Sequence, residues 1–332
     1  MPLKYRAHAI VLGMLVLAGL AGCNTAAPAA EEAAVNEPAA LESVTLINPV
    51  GPLVIPAAGL ASGAVESSLP IHVQYWKTAD EAIGLLANDS AQFAVLPVTS
   101  GVNMNAAGLD LVLLGVHEWK VFYLIAADRQ SFTGWDSLIG KTVYTPESRG
   151  QTVDVLTRYA LAKAGISPDK QVTFVYAPGA EIVALFQEGK VDFAALPEPF
   201  VTQALASGQG AIALDYQEYW AKESGSQNGI PIAGLFVKRS FMNAHAEAVD
   251  AVVAAMHAST LWGNQHSLEA IQASAEILPL PENILSNALE RIKFDYIPAS
   301  EVKADVLNFL QTIQDTYPEG VKQIPEDAFF AR

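Results

Sequence analysis

Among its 332 residues the chain has one cysteine, Cys23. Disulfides, thiolate metal sites and a cysteine nucleophile are therefore excluded from everything after it. Charge is sparse too: Asp, Glu, Lys and Arg make up 16% of the residues, and the basic ones are the scarcer, 19 against 35 acidic. Nucleic acid requires a basic footprint, so it is excluded as a partner. The apolar run "AIVLGMLVLAGLA" at 9–21 is too short to span a bilayer. Hydrolase strings are missing: there is no G-x-S-x-G and no H-E-x-x-H. "GWDSLIGKT" has five residues where a phosphate loop needs four, and it precedes a strand instead of following one. "GQGAIA" at 208–213 runs from helix to strand, the wrong order for a dinucleotide fingerprint. Nothing in the residues asks for a cofactor or a metal. What is present is apolar material: hydrophobic residues are 51% of the chain, enough for a large core and for one large domain or two ordinary ones.

Lys4, Arg6 and His8 precede the apolar run, the charge layout of a secretory signal. "LAGC" follows at 20–23 and resembles the bacterial lipoprotein box, in which small residues admit a signal peptidase before a cysteine that carries lipid such as palmitate. Residues 1–22 are thus expected to be a lipoprotein signal peptide, and Cys23 the lipidated anchor on the extracytoplasmic side of a cell membrane. "NTAAPAAEEAAVNEPAALES" is rich in Ala, Pro and Glu without apolar periodicity, so 23–42 reads as a flexible tether. Removing Lys4 and Arg6 leaves 17 basic residues against 35 acidic, a net charge of −18.

The rest of the chain repeats itself. Residues 71–97 align without a gap on 171–197, with Glu81, Leu85, Phe93, Ala94, Leu96 and Pro97 recurring one hundred positions later. The grammar repeats as well. A strand ("IHVQYW", "VTFVYA") leads through a turn to a helix ("EAIGLLAN", "EIVALFQEG") and then to a short apolar strand ("FAVLP", "FAALP"). Upstream of each copy lies a further strand and a Gly/Pro loop, "VTLINPVGP" and "TVYTPESRG". This predicts an α/β protein of two similar lobes, whose strand ends would line a ligand cleft between them. "DLVLLGVHEWKVFYLIAAD" is long enough for two strands crossing between lobes, and "GIPIAGLFVKRSF" suits the return. Lobe 1 is placed at 43–118 and 236–332, lobe 2 at 119–235. From Ala246 onward apolar spacing predicts a helical region punctuated by Pro279, Pro281, Pro298 and Pro318.

The lipobox, the tether, the two lobes, "SLIGKTVYTPESRGQTVDVLTRYALAKAGISPD" and "GAEIVALFQEGKVDFAALPEPFVTQAL" together resemble the solute-binding proteins of ABC importers. The branch it resembles handles sulfonates, taurine and thiamine-precursor pyrimidines, with riboflavin-binding relatives. Leu138, Gly140 and Lys141 match its Leu-x-Gly-Lys turn. Leu185, Gly189, Asp192 and Pro197, with Pro199 beyond Glu198, match its second signature with one residue inserted. The loop of 51–73 lacks the phenylalanine that the branch carries there. The resemblance implies a type II periplasmic-binding-protein fold, no enzymatic activity, and ABC permease and ATPase subunits as partners. The expected cargo is a heterocyclic vitamin or precursor. The alternatives are an aliphatic sulfonate or similar oxyanion and, in another class, an enzyme of the same fold such as a chorismate dehydratase.

Candidate cleft residues follow from position. Trp76 and Tyr176 end equivalent strands of the alignment and could stack a planar ligand or pack inside their lobes. Lys77 would favour an anion or sit in solvent. Pro49 and Gly51, with Thr99 and Ser100, form the loops of lobe 1. Ser148, Arg149, Gln151 and Thr152 open a helix whose free N–H groups suit an anion, although plain capping uses the same letters. His117 and Trp119 lie on the crossing, as hinge, core or ligand contacts. The resemblance implies that Glu198 faces the cleft, where a carboxylate would accept from an amino or ring N–H group.

Overall fold

Alternation of apolar residues with short Gly/Pro loops makes this chain a strand-and-helix alternator, and the computed structural model shows where each strand goes. It describes residues 41–332 except 147, 148 and 319. The signal, Cys23 and most of the tether therefore lie outside the described residues, as does Ser148. Residues 41–332 form one unit.

The strands are β1 (Val44–Pro49), β2 (Ile71–Trp76), β3 (Phe93–Pro97), β4 (Leu111–Lys120), β5 (Phe122–Ala126), β6 (Thr142–Pro146), β7 (Thr173–Ala177), β8 (Phe193–Pro197), β9 (Ala211–Asp215), β10 (Ala233–Lys238) and β11 (Lys293–Pro298). The α-helices are α1 (Val54–Ser62), α2 (Ala79–Ala87), α3 (Val98–Met104), α4 (Thr152–Lys163), α5 (Gly179–Gln187), α6 (Phe200–Leu205), α7 (Tyr216–Ser224), α8 (Arg239–Ala244), α9 (Ala246–Gln265), α10 (Ser267–Ala273), α11 (Glu282–Leu289) and α12 (Ala299–Thr316). One sheet has the order β11-β4-β10-β3-β1-β2, the other β7-β6-β8-β5-β9.

Each sheet holds the same parallel trio, with β1 between β2 and β3, and β6 between β7 and β8. Buried on both faces, β3 and β8 read as unbroken apolar runs, and each ends on the proline of its Leu-Pro pair. The crossing segment supplies β4 to the first sheet and β5 to the second, and the return supplies β10. The mixed α/β architecture is thus the one the sequence pattern implies.

Two expectations change. The region after Ala246 is not helical throughout: "KFDYIP" is β11, antiparallel to β4. Phe294 and Tyr296 alternate with exposed Asp295 and form a half-buried strand in the gap between two helical patterns. The gapless alignment also slips by one residue inside the sheet. Leu46 pairs with Phe93 and Val73, whereas Val143 pairs with Phe193 and Phe174. Register therefore equates Tyr75 with Tyr176, and Trp76 with Ala177. The extra residue is Lys77, between β2 and the Thr78 cap of α2; β7 reaches α5 through Pro178 alone. Because side chains alternate, Trp76 and Tyr176 point to non-equivalent faces and are not a matched pair of walls.

One large buried cluster runs from Val44 and Leu46 through Trp119 and Trp220 to Phe309 and Phe329, and a smaller one packs around Ile125, Phe186 and Leu196 on the other face of the second sheet. Helix α9 crosses α1 closely: a Cβ on Gly263 would stand 2.8 Å from the Ile55 carbonyl oxygen, and Leu60 N–H donates to Ser259 Oγ at 3.1 Å.

Candidate functional site

Loops that follow the carboxyl ends of the parallel strands gather the candidates. In the first sheet β1 ends at Pro49 and turns through Gly51 into α1; the Val54 N–H donates to the Gly51 carbonyl. Asn48 is fully buried beneath this turn, and its Nδ2 donates to the carbonyls of Pro49 at 3.0 Å and Leu53 at 3.1 Å. Thr99 (buried) and Ser100 (half-buried) lie in the first turn of α3, directly after β3. Trp76 is buried at the end of β2. Lys77 is exposed, and its N–H donates to Glu81 in a capping box completed by Thr78.

In the second sheet β6 leads to Arg149, Gly150 and Gln151, and α4 begins at Thr152 with no side-chain cap. Beneath this loop lies an ionic cluster that the sequence reading did not single out. Buried Arg158 donates through Nε to Asp154 at 2.9 Å, through Nη1 to Asp169 at 2.8 Å and through Nη2 to the Tyr176 hydroxyl at 2.8 Å. Tyr176 in turn donates to Asp154 at 3.0 Å, and the other Asp154 oxygen accepts from Gly150 N–H at 2.8 Å. Arg149 bonds Asp169 at 2.8 Å and lies 5.3 Å from the centre of the Tyr317 ring. The tyrosine hydroxyl is thus engaged below the loop, and its ring is not an aromatic partner to Trp76. The i,i+4 spacing of Asp154 and Arg158 was the signal available for this cluster.

Glu198 departs from its expected role. It is fully buried, with one oxygen accepting from Arg291 Nε at 2.6 Å and the other from the N–H and hydroxyl of Thr202 at 2.9 and 2.8 Å. Tyr123 donates to the Arg291 carbonyl at 2.6 Å. With both oxygens occupied, the carboxylate ties the α11–β11 segment to β5 and α6 instead of presenting a free acceptor. Trp119 is likewise committed, fully buried with Nε1 donating to the Asp295 carbonyl at 2.8 Å. Gln217 accepts from Val121 and Phe122 N–H groups at 2.9 and 3.3 Å, which clamps the crossing between β4 and β5.

Several buried polar atoms have no partner: Asn48 Oδ1, Trp76 Nε1, both ring nitrogens of His117, Glu118 Oε1 and Thr145 Oγ1. Such groups are rare because each carries a desolvation cost. These lie at or near the carboxyl ends of β1, β2, β4 and β6, whereas three more unpartnered atoms, Gln203 Nε2, Trp220 Nε1 and the Tyr296 hydroxyl, lie in α6, α7 and β11. Burial pushes His117 down to about 3 and Glu118 up to about 8, so at neutral pH the end of β4 carries a neutral imidazole and a protonated carboxyl. Among the described residues no hydrogen bond joins the loops after β1 and β3 to those after β6 and β8, so the candidates fall into two sets, one at each sheet.

A two-sheet α/β molecule with duplicated parallel trios, two crossings and polar groups gathered at the strand ends has the architecture of the type II periplasmic binding proteins. The profile of the NMT1-like family matches residues 102–279, more than half of the chain, and the chain belongs to that family. An ABC transporter protein from Parabacteroides distasonis superposes with a TM-score of 0.72 at 24% identity, over 88% of this chain and 99% of that one. The periplasmic aliphatic sulphonate binding protein SsuA of Escherichia coli gives 0.71 at 20% identity, over 88% and 92%. The nitrate-binding protein NrtA of Synechocystis gives 0.65 at 14%, over 87% and 91%. At these identities the likeness is one of fold. No curated protein matches the chain.

Proposed function

We propose that this chain is the solute-binding component of an ABC importer, and that its cargo is a small organic oxyanion of the sulfonate type. The observation that carries the reading is the duplicated trio, which gives each sheet one set of loops and polar groups at its strand ends. The lobes expected at 43–118 with 236–332 and at 119–235 are kept with shifted boundaries: β4 runs to Lys120 and β10 begins at Ala233 in the first sheet, so the chain crosses between lobes at Val121 and near Ile230. A solute held by both half-sites favours the closed arrangement, since it makes its full set of contacts only there. Permease and ATPase subunits are the partners, Cys23 is the lipid anchor on the extracytoplasmic face, and the chain acts as a receptor, not as an enzyme.

The oxyanion is preferred to a heterocyclic vitamin for physical reasons. The stacking pair expected for a planar ring is not a pair in the sheet register, and the Glu198 carboxylate is already engaged. Helix α4 starts after β6 with no cap from Gln151, and the Asp154 carboxylate in its first turn is neutralised by Arg158, which leaves its first N–H groups able to meet an anion. Two of the solved relatives, by their names, bind sulfonate and nitrate.

A thermal-shift panel of alkanesulfonates, nitrate, a thiamine-precursor pyrimidine and riboflavin tests this. A ligand at a hundredfold over its dissociation constant adds about 2.7 kcal/mol, a shift of several degrees for a chain of this size. The oxyanions should produce it and the heterocycles should not; the reverse pattern would replace the cargo assignment.

A further inference from the structure

Helix α12 packs on α4 as well as on β4 and β11, and its Phe309 ring meets Trp220 of α7 edge to face at 5.4 Å, so it lies against both lobes. Just past its end the chain turns, with the Gly320 N–H donating to the Tyr317 carbonyl at 2.9 Å. Gln314 Nε2 donates to the carbonyl of buried Val321 at 3.2 Å, which fixes this turn to the helix. One side of the turn is held by lobe 1. Asn103, on the helix that follows β3, donates through Nδ2 to the Gly320 carbonyl at 2.8 Å and accepts through Oδ1 from the Lys322 N–H at 3.2 Å. The other side meets lobe 2, where the Tyr317 ring sits between two glycines. A Cβ on Gly150, in the loop between β6 and α4, would stand 2.8 Å from ring atom Cε1, and a Cβ on Gly320 would stand 2.8 Å from Cδ1. Gly150 also holds φ at +90°, so space and backbone both ask for glycine under the ring. The Arg149 guanidinium lies 5.3 Å from the ring centre.

Resting on the reading of this chain as a receptor whose lobes close on a solute, we infer that residues 317–322 form a clasp that holds the β6–α4 loop of lobe 2 against α3 of lobe 1 and biases the lobes toward closure. The clasp has two links in series, Asn103 to the turn and Tyr317 to Gly150 and Arg149. Opening breaks the second, because the first is a pair of hydrogen bonds and the second a ring packed on backbone beneath a cation. The turn therefore travels with lobe 1, and the ring leaves Gly150. Its effect does not depend on which solute is bound, since it acts on the balance between open and closed forms.

Spin labels on the full chain test this with no cargo added. In a Cys23→Ser background, Asp80→Cys and Ala180→Cys put one label on the first turn of α2 and one on the first turn of α5, both exposed and on different lobes. Double electron–electron resonance then reads the distance between lobes. Tyr317→Ala should raise the ratio of long to short distances on the order of tenfold, and Asn103→Ala should do the same. Tyr317→Phe, which keeps the ring on Gly150, should retain most of the short-distance form. Since the links are in series, the double variant Asn103→Ala/Tyr317→Ala should open no further than either single one. Distances unchanged in both alanine variants, even with a lower melting point, would reduce the segment to ordinary packing and overturn the clasp. A double variant that opens by the product of the single effects would overturn it as well, because the two side chains would then act separately. The oxyanion panel is titrated apart from this: failure of every member to bind would refute the cargo assignment, while the distances still decide the clasp.

Discussion

At Glu118 and His117 adjacent residues of one strand are both fully buried and titrate in opposite senses, and the consequences for stability have definite signs. Glu118 keeps its proton to about pH 8 when folded but loses it near 4.5 when unfolded. The folded state therefore binds more protons between those values, and this group's contribution falls as pH rises through that window. His117 does the reverse: the unfolded chain binds the extra proton between about 3 and 6.5, so its contribution grows as pH rises to 6.5. The two oppose each other between about pH 4.5 and 6.5, and above that only Glu118 acts. Urea midpoints should accordingly decline from pH 6.5 to 8 in wild type and stay flat in Glu118→Gln; parallel declines in both proteins would show that another group is responsible. The tie at Glu198 supplies a second prediction. Arg291→Ala leaves a buried carboxylate without its cation and should cost about 2–3 kcal/mol, discounted from the fully buried case because the arginine is about one-third exposed. Adding Glu198→Gln should recover part of that loss, and strictly additive effects would mean that the two side chains do not interact.

Elements were legible where a pattern ran long enough. The two Leu-Pro strands, the crossing pair β4–β5, the return strand β10 and the proline-punctuated C-terminal helices all follow from apolar periodicity. The strand β11 was not legible, because six residues with two buried aromatics, wedged between helical repeats, lack the length to display a period. Nor was the slip at Lys77: the alignment matches letters, whereas the sheet matches hydrogen-bond register, and a single extra residue in a turn leaves the letters nearly intact while it turns Trp76 to the other face. Helix packing yields a prediction at this scale. Gly263→Ala would press a methyl against the Ile55 carbonyl and should destabilise by about 1–3 kcal/mol, whereas Gly84→Ala in α2 meets nothing within 4 Å and should stabilise by about 0.5–1 kcal/mol. Denaturant midpoints of the two variants should move in opposite directions, and movement in the same direction would refute close packing of α1 on α9.

For the whole molecule, fold class was recognisable from motifs spread over both halves, and the proposed receptor role draws on the same motifs, but cargo was not legible, because the groups that would choose it are single side chains whose partners only the sheet register reveals. The net charge of −16 adds a long-range effect. An acidic protein repels an anionic solute at a distance, and salt screens this beyond about 10 Å at 0.1 M, so the association rate of an oxyanion should rise between 10 and 150 mM salt; stopped-flow tryptophan fluorescence would show it, and a falling rate would point to a locally basic entrance instead. The central claim is that one small oxyanion is captured between the two sets of strand-end loops. Isothermal titration of the protein with taurine tests it most directly: the account predicts saturable binding of one molecule per chain, with a negative heat-capacity change as closure buries apolar surface. The absence of saturable binding by the folded protein, of taurine or of any other oxyanion in the panel, would contradict it.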